Sequence, residues 1–203
     1  MRAKDGTITE FGVPKAGTGP GQGTFVAWAQ CNSPSGVVTG YYADNGGVFH
    51  GYVRDPGGNI TTFDGGSTSS LQPGQGTYTW AINPSGTTGG VFQGSNGVYH
   101  GLLRTASGKI TTFDVPGAGA GAGQGTYVEG IDPEGVAIGN FIDSSGVNHG
   151  YLRTADGKFT YFDAPLAGTS AGQGTLPMTN NPGGTITGFY IDKDWGWHGF
   201  VRQ

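Results

Sequence analysis

The fold is decided by Val147-Asn148-His149-Gly150-Tyr151-Leu152-Arg153 and, after a turn, by Lys158-Phe159-Thr160-Tyr161-Phe162-Asp163. The His-Gly pair of this stretch occurs four times, and every histidine of the chain belongs to one of the copies. The copies lie at His50, His100, His149 and His198. Their period of about 50 residues is typical of propellers, solenoids and repeat arrays. We therefore expect a single domain over residues 1–203 that contains four repeats of about 49 residues.

Each repeat has the pattern of four short strands. A glycine-rich connection ends in Gly-Gln-Gly-Thr, as at residues 123–126, and a first strand over 126–132 follows it. Short turns then separate a second strand over 136–143, the His-Gly strand and a last strand over 158–163. No window of the sequence has the apolar spacing of an amphipathic helix. The chain is therefore expected to be all-β.

The apolar pattern within the strands indicates how the repeats pack. Phe141 lies on one face of its strand, and Ile138 and Ile142 lie on the other. Both faces are largely apolar, whereas a sheet with one solvated face would alternate apolar with polar residues. Blades that are arranged radially bury both faces of each sheet against their neighbours. The pattern therefore predicts a four-bladed β-propeller of four-stranded antiparallel blades.

The two ends of the chain complement each other in this scheme. Residues 7–11 match the last strand of a repeat, whereas residues 197–202 form a His-Gly strand that no last strand follows. Unpaired strand edges favour aggregation, so natural sheets cover them. We expect the ring to close by pairing of the N-terminal strand with the C-terminal blade. An open fragment of a larger propeller and a ring of two chains are the alternatives.

Composition excludes several classes of function. Among 203 residues, 43 are glycine and 12% are aromatic, which favours many tight turns over disorder. The formal net charge of −4 provides no basic surface, so no nucleic-acid partner is expected. Cys31 is the only cysteine, which excludes a disulfide framework and a cysteine-based zinc site. We expect no cofactor and no metal.

The sequence contains no run that is apolar and long enough for a membrane span, and we expect a monomer. Its start, Met1-Arg2-Ala3-Lys4, lacks the apolar core of a secretory signal. On this feature the protein is either cytoplasmic or secreted with a leader that the sequence leaves out.

The repeats resemble the bacterial His-Ala-Phe (HAF) repeats. The shared pattern begins with Gly-Thr-Tyr-x-x-x-Ile-Asn/Asp-Pro-x-Gly and ends with His-Gly-Tyr/Phe-x-Arg, where Gly150 and its equivalents replace the alanine. The resemblance covers essentially the whole chain. It implies a bacterial β-propeller repeat protein that is extracellular or associated with the cell envelope, but no activity that can be transferred. Residues 6–14 also resemble a blade segment of virginiamycin B lyase-type propellers, whose paired catalytic histidines have no counterpart here.

The histidines and arginines of the repeat are expected to be structural. Four imidazoles on the third strands lie too far from a common axis to converge on one metal ion. We interpret each histidine as bonded to a loop backbone or to the aspartate of the second strand, which would lock its blade. We expect the arginines that end these strands to pair with aspartates between blades rather than with an anionic ligand. The arginines are Arg54, Arg104, Arg153 and Arg202, and their candidate partners are Asp44, Asp114, Asp143, Asp163 and Asp192.

Ligand binding is expected on the loop rim and where the repeats differ. Loops on one rim of a propeller commonly bind ligands, and the repeated glutamines would surround the mouth of its channel. Their amides suit hydroxyl-rich ligands or, equally, the loop backbone. The tryptophans break the repeat and are either platforms for a sugar or packed corners. The candidate ligand-binding residues are Gln22, Gln75, Gln124, Gln173, Trp28, Trp80, Trp195 and Trp197.

These features predict a ligand-binding module that recognises a glycan or another small molecule. One alternative is an enzyme, either a lyase, an isomerase or a hydrolase, with Glu129 and His149 as catalytic candidates. Glu129 is the only acid within the body of a first strand, where burial would raise its pKa towards the range of a general acid or base. The other alternative is a structural scaffold with no defined pocket.

Overall fold

The computed structural model describes residues 6–26 and 30–203, and over those ranges it contains sixteen strands and no helix. The all-β prediction is therefore confirmed. The strands are β1 (Gly23–Phe25), β2 (Val38–Ala43), β3 (Phe49–Arg54), β4 (Ile60–Phe63), β5 (Gly76–Ile82), β6 (Thr88–Gln93), β7 (Tyr99–Arg104), β8 (Ile110–Phe113), β9 (Gly125–Thr126), β10 (Gly130–Ile131), β11 (Ala137–Ile142), β12 (Asn148–Arg153), β13 (Phe159–Phe162), β14 (Gly174–Asn180), β15 (Ile186–Ile191) and β16 (Trp197–Arg202).

The strands form four units that each repeat one antiparallel meander. Unit 1 contains β1–β4 and unit 2 contains β5–β8, with each strand paired to the next along the chain. Unit 3 contains β9–β13, where β9 and β10 are two parts of one first strand on β11. Unit 4 contains β14–β16 and has no fourth strand in the described part of the chain. Each copy of the sequence repeat thus corresponds to one antiparallel unit of the structure.

The first strand of a unit is interrupted by a bulge. The pairing of β5 with β6 shifts at Trp80, between Thr79 and Ala81. The pairing of β14 with β15 shifts in the same way at Met178. A bulge leaves one residue without a partner and re-aims its side chain. The residues that differ most between the units therefore occupy one special backbone position, which Glu129 holds in unit 3.

Consecutive units are joined where the third strand of one meets the start of the next. At the junction of units 1 and 2, the Phe49 amide donates to the Gln75 carbonyl at 2.8 Å, and the Gly74 amide donates to the Gly47 carbonyl at 2.9 Å. Gly76 has a φ of +127°, and a Cβ on it would lie 2.0 Å from the Phe49 oxygen, so only glycine fits. The same two backbone bonds join units 2 and 3 and units 3 and 4.

Units 4 and 1 lack this junction. Gly21, Gln22, Trp195 and Trp197 hold the equivalent positions and are all described, yet no backbone hydrogen bond joins them. Residues 7–11 contain an isolated bridge at Ile8 rather than a strand, and within the described ranges β16 pairs with β15 alone. The sixteen-stranded sheet is not closed, so the expected closure by the N-terminal strand is not observed, and the four-bladed propeller is not confirmed.

The first strands of the four units nevertheless meet. Gln30 of unit 1 forms a parallel bridge with Ala81 of unit 2, and the amide of its side chain donates to the hydroxyl of Thr179 in unit 4. The Trp80 indole donates to the Val128 carbonyl at 2.8 Å, which links units 2 and 3. Units 4 and 1 are thus in contact at their first strands, whereas the junction bonds at their third strands are absent from the described residues.

Part of the core lies between the units. Ala81, Val128, Ile131 and Ala137 form one buried cluster between units 2 and 3. Large apolar side chains are exposed on both sides of the missing junction, and these residues are Ile8, Val26, Met178, Trp197 and Val201. The fourth interface therefore leaves apolar surface in water that the other three bury. No helix of the described ranges is long and apolar enough to cross a membrane.

Candidate functional site

Each histidine of the third strands contacts at least one carboxylate. His50 Nδ1 lies 2.7 Å from an Asp64 oxygen, and its Nε2 lies 3.4 Å from an Asp44 oxygen. The expected bond to the aspartate of the second strand is therefore present in unit 1. It is also present at His149 with Asp143, at 3.4 Å, and at His198 with Asp192, at 2.8 Å.

A second carboxylate next to each of three histidines was not expected from the sequence. Asp64 follows the fourth strand and lies 14 residues after His50, and this spacing recurs in His100–Asp114 and His149–Asp163. The constant spacing was the available signal, because a strand pair that starts with histidine and returns to aspartate brings both to one end. Asp114 and Asp163 had been expected to pair with arginine, whereas Asp64 had no expected partner.

Two units have incomplete clusters. Gly94 replaces the second-strand aspartate in unit 2, so His100 retains Asp114 alone, at 2.8 Å. In unit 4 the partner of His198 is Asp192. Bonds from His198 and from the Gly196 amide hold the pKa of Asp192 below its usual value, because they stabilise the ionised carboxylate.

The complete cluster of unit 1 opens into a cleft of about 350 Å³ that Lys15, Tyr42 and Asn45 also line. The Tyr42 ring stacks on the imidazole of His50 at 4.9 Å. No group of three or more histidine, cysteine, aspartate or glutamate residues in the described ranges has the arrangement to hold a metal ion. Asp44, His50 and Asp64 thus mainly bind one another at the wall of a polar cleft.

The arginines stack on phenylalanine and not on carboxylates, which corrects the expected aspartate pairing. The Arg104 guanidinium carbon lies 4.9 Å from the centre of the Phe63 ring in the preceding unit, and its Nη1 donates to the Thr105 carbonyl. No arginine in the described ranges forms a salt bridge. The equivalent pairs are Arg54 with Phe11, Arg153 with Phe113, and Arg202 with Phe162.

The four loop glutamines bind backbone. Gln22 Oε1 accepts from the Gly19 amide at 2.8 Å, and its Nε2 donates to the Asn45 carbonyl at 3.0 Å. These bonds connect the glycine-rich loop to the turn between the second and third strands, so the two loops lie next to each other. Gln75, Gln124 and Gln173 make the equivalent pair of bonds. Each amide therefore uses both its acceptor and a donor within the fold.

The structure places the tryptophans in different environments. Trp80 packs against the cluster of Ala81 and Val128 between units 2 and 3, and its indole nitrogen bonds backbone. Trp197 is 67% exposed and stacks on Phe189 at 4.7 Å beside the missing junction. Trp28 lies outside the described residues.

Trp195 is the most unusual of the candidate residues. It has a φ of +66°, and within the described ranges it is the only residue other than glycine with a positive φ. Units 1–3 place Gly47, Gly97 and Gly146 at the same turn position, with φ of +76°, +78° and +84°. Trp195 is 58% exposed, and the edge of its indole lies over Gly172. A bulky residue in this backbone conformation is strained, and such strain occurs preferentially at functional positions.

The structure does not bring the two catalytic candidates together. Burial raises the pKa of Glu129 to about 7, and its carboxylate has no hydrogen-bond partner among the described residues. His149, however, lies opposite Phe141 on β11, whereas the Glu129 amide bonds to Ile138, three residues away along that strand. That offset corresponds to about 10 Å along a strand, beyond hydrogen-bond reach. Glu129 and His149 therefore do not form an acid–base pair.

Comparison of the chain with protein-family models, with curated proteins and with solved structures found no match. Its function has to be inferred from the geometry of its own residues.

Proposed function

We propose that this protein is a ligand-binding module that recognises a glycan or another hydroxyl-rich small molecule at the turn over residues 192–196. The observation that carries the proposal is the exposed indole of Trp195 on a left-handed backbone. The other three units complete the same turn with glycine. The fold therefore does not require tryptophan here, and its strain has to be offset by another role.

The surroundings of Trp195 suit such a ligand. Lys193 and Asp194 directly precede Trp195 and form an exposed ion pair, and the Gln173 side-chain amide donates to the Lys193 carbonyl from the neighbouring loop. The apolar face of a sugar ring stacks on an indole, while ammonium and carboxylate groups bind the hydroxyls around it. The chain thus offers an aromatic platform next to a donor and an acceptor on a braced turn.

We further propose that the four units are the blades of a four-bladed β-propeller, closed when residues 7–11 pair with β16. The contacts of Phe11 support this closure. In unit 1, the Phe63 ring covers Gly51 on one side, where a Cβ would lie 2.7 Å from the ring, and Arg104 of the next unit lies over it. Phe11 has its arginine, Arg54, at 5.0 Å. Its own glycine would be Gly199, where a built Cβ would meet only the Gly188 carbonyl, at 3.9 Å, and no aromatic ring.

The four-bladed arrangement is supported by complementarity on both sides of the gap. Pairing of residues 7–11 with β16 would provide the fourth strand that unit 4 lacks and would cover Val201 and Ile8, both largely exposed. The contact of Gln30 with Thr179 already brings units 1 and 4 together at the first strands.

A glycan array tests the ligand-binding proposal. The unmodified protein is expected to bind a subset of the glycans, and Trp195→Gly, which restores the residue of the other units, is expected to weaken binding at least about tenfold. The control is Trp197→Phe, which introduces the residue that unit 1 has at that position and should retain binding. Equal binding by Trp195→Gly, or no binding of the unmodified protein to the array, would overturn the proposal.

A further inference from the structure

The three formed junctions leave no room for a side chain at the turn glycine. A Cβ built on Gly47 lies 3.1 Å from the Cβ of Pro73 in the next unit. The same construction on Gly97 and on Gly146 gives 2.9 Å and 3.0 Å to Ala122 and Ala171. These distances are below ordinary van der Waals contact, so the neighbouring loop occupies the space where a Cβ would be.

At the missing junction a bulky residue holds the turn position that is glycine in the other three units. Trp195 holds the place of the turn glycine, and Pro20 holds the place of Pro73. If units 4 and 1 met as the others do, the Gly21 amide would donate to the Trp195 carbonyl, and the Cβ of Trp195 would press on Pro20. The backbone carbonyl of Trp195 would thus accept a hydrogen bond of the junction, whereas its side chain would obstruct the approach of the Pro20 loop.

Other contacts favour closure of this junction. Phe49 stacks on Tyr78 of the next unit at 4.7 Å, and Tyr99 lies at the same distance from Tyr127. The equivalent pair is Trp197 of unit 4 with Phe25 of unit 1. Closure would bury Trp197 together with the apolar side chains exposed on the two edges, and burial of apolar surface is favourable.

We infer that the junction of units 4 and 1 is a clasp with an open and a closed state, and that Trp195 is the wedge that holds it open. In the open state the indole lies over Gly172, exposed to solvent. In the closed state the Trp195 side chain moves aside, and the loop that contains Pro20 packs against the turn. This inference rests on the proposed ring closure, and it deepens the proposed function. A ligand that stacks on the exposed indole binds the open state preferentially and shifts the chain towards it.

A disulfide placed across the gap tests the clasp without a ligand. Val53 lies opposite Thr61 in the pairing of β3 with β4, and the same register places Val201 opposite Thr9. We would make Thr9→Cys/Val201→Cys in a background in which the buried Cys31 is replaced by alanine, the residue of unit 2. The rate of disulfide formation in a fixed glutathione buffer is then compared with and without Trp195→Gly.

Trp195→Gly is expected to increase the rate of this disulfide at least about fivefold, because it removes the side chain that obstructs closure. Thr61→Cys/Val53→Cys is the matched control, which joins the same two positions within unit 1 and should form its disulfide at a rate that Trp195→Gly leaves unchanged.

The other outcomes identify which idea is wrong. Equal rates with tryptophan and glycine at position 195 would overturn the wedge and leave the glycan proposal standing. A control disulfide without any disulfide across the gap would overturn the ring closure, and a product linked between two copies would show that closure occurs in trans and overturn it within one chain. Loss of glycan binding is measured on the array, so its failure is distinguishable from all of these.

Discussion

The guanidinium carbon of Arg54 lies 5.0 Å from the centre of the Phe11 ring, in the same relation that Arg104 has to Phe63 at 4.9 Å. Phe11 is thus positioned as if it ended the fourth strand of a unit that precedes unit 1. The start of the described chain is anchored to unit 1 by this stacking and by an edge contact with Tyr52 at 6.0 Å. Unit 1 therefore holds Phe11 in place.

Phe11→Ala is expected to lower the free energy of unfolding by about 2 kcal/mol, because it removes both the cation–π contact and packing on the cluster of Val13, Tyr42 and Tyr52. Phe11→Leu retains the packing and should cost less than about 1 kcal/mol. Urea denaturation followed by tryptophan fluorescence measures both values. A Phe11→Ala variant as stable as the unmodified protein would show that the N-terminal segment is not anchored.

Trp195→Gly should raise stability as well as weaken ligand binding. Glycine adopts a positive φ without strain, so the variant is expected to gain about 1 kcal/mol, which corresponds to about 2–4 °C in Tm for a chain of this size. Gly146→Ala is the mirror experiment, since its φ is +84° and its Cβ would lie 3.0 Å from Ala171. It should lower Tm, and differential scanning calorimetry compares the two. If Trp195→Gly lowers Tm instead, the indole contributes packing that its exposure does not indicate.

Gly94→Asp is expected to complete the cluster of unit 2. In unit 1, one Asp44 oxygen accepts from the Gly46 and Val48 amides at 2.8 and 2.9 Å, and the other faces His50. Gly94 has no positive φ, and its built Cβ meets only the flexible side chain of Asn96 at 3.1 Å and His100 at 3.9 Å. The new carboxylate should therefore stabilise the protein by about 0.5–1 kcal/mol.

The reverse change, Asp143→Gly, removes the same group from unit 3 and should destabilise the protein by a similar amount. Urea denaturation at pH 7 gives both values. Two variants that leave stability unchanged would mean that the carboxylate next to the histidine does not stabilise the turn that follows the second strand.

The strands, the turns and the fourfold repeat were predictable from the sequence, because alternating apolar residues and turn glycines are local signals. The partners of the arginines were not. Whether Arg104 meets a carboxylate or the Phe63 ring depends on which strand of the preceding unit lies beside it, and this is decided by packing between units. Strand counting predicts ring closure without taking side chains into account. An obstruction by one side chain at one turn could therefore not be predicted in this way.

The candidate site was predicted only in part. Alignment of the turns alone places Trp195 in the column of Gly47, Gly97 and Gly146, so this anomaly could have been found in the sequence. The hydrogen bonds of Gln22 and its equivalents to the backbone could not have been found there, because the sequence shows the same glutamine whether its amide faces a ligand or a loop. The separation of Glu129 from His149 likewise depends on strand register, which repeat spacing does not fix.

Glu129 should make the protein less stable as the pH rises. Partial burial near Tyr127 and Tyr151 raises the pKa of Glu129 to about 7 in the folded state, while Glu129 in the unfolded chain ionises at its ordinary value near 4.5. The folded state thus binds more protons between these two values, so its contribution to stability falls from about pH 4.5 to about pH 7 and is constant above that. The full loss is about 3 kcal/mol.

Glu129→Gln should abolish this slope, and the exposed Glu134→Gln should retain it, when urea denaturation is repeated from pH 4 to pH 8. The same slope in all three proteins would contradict the raised pKa of Glu129.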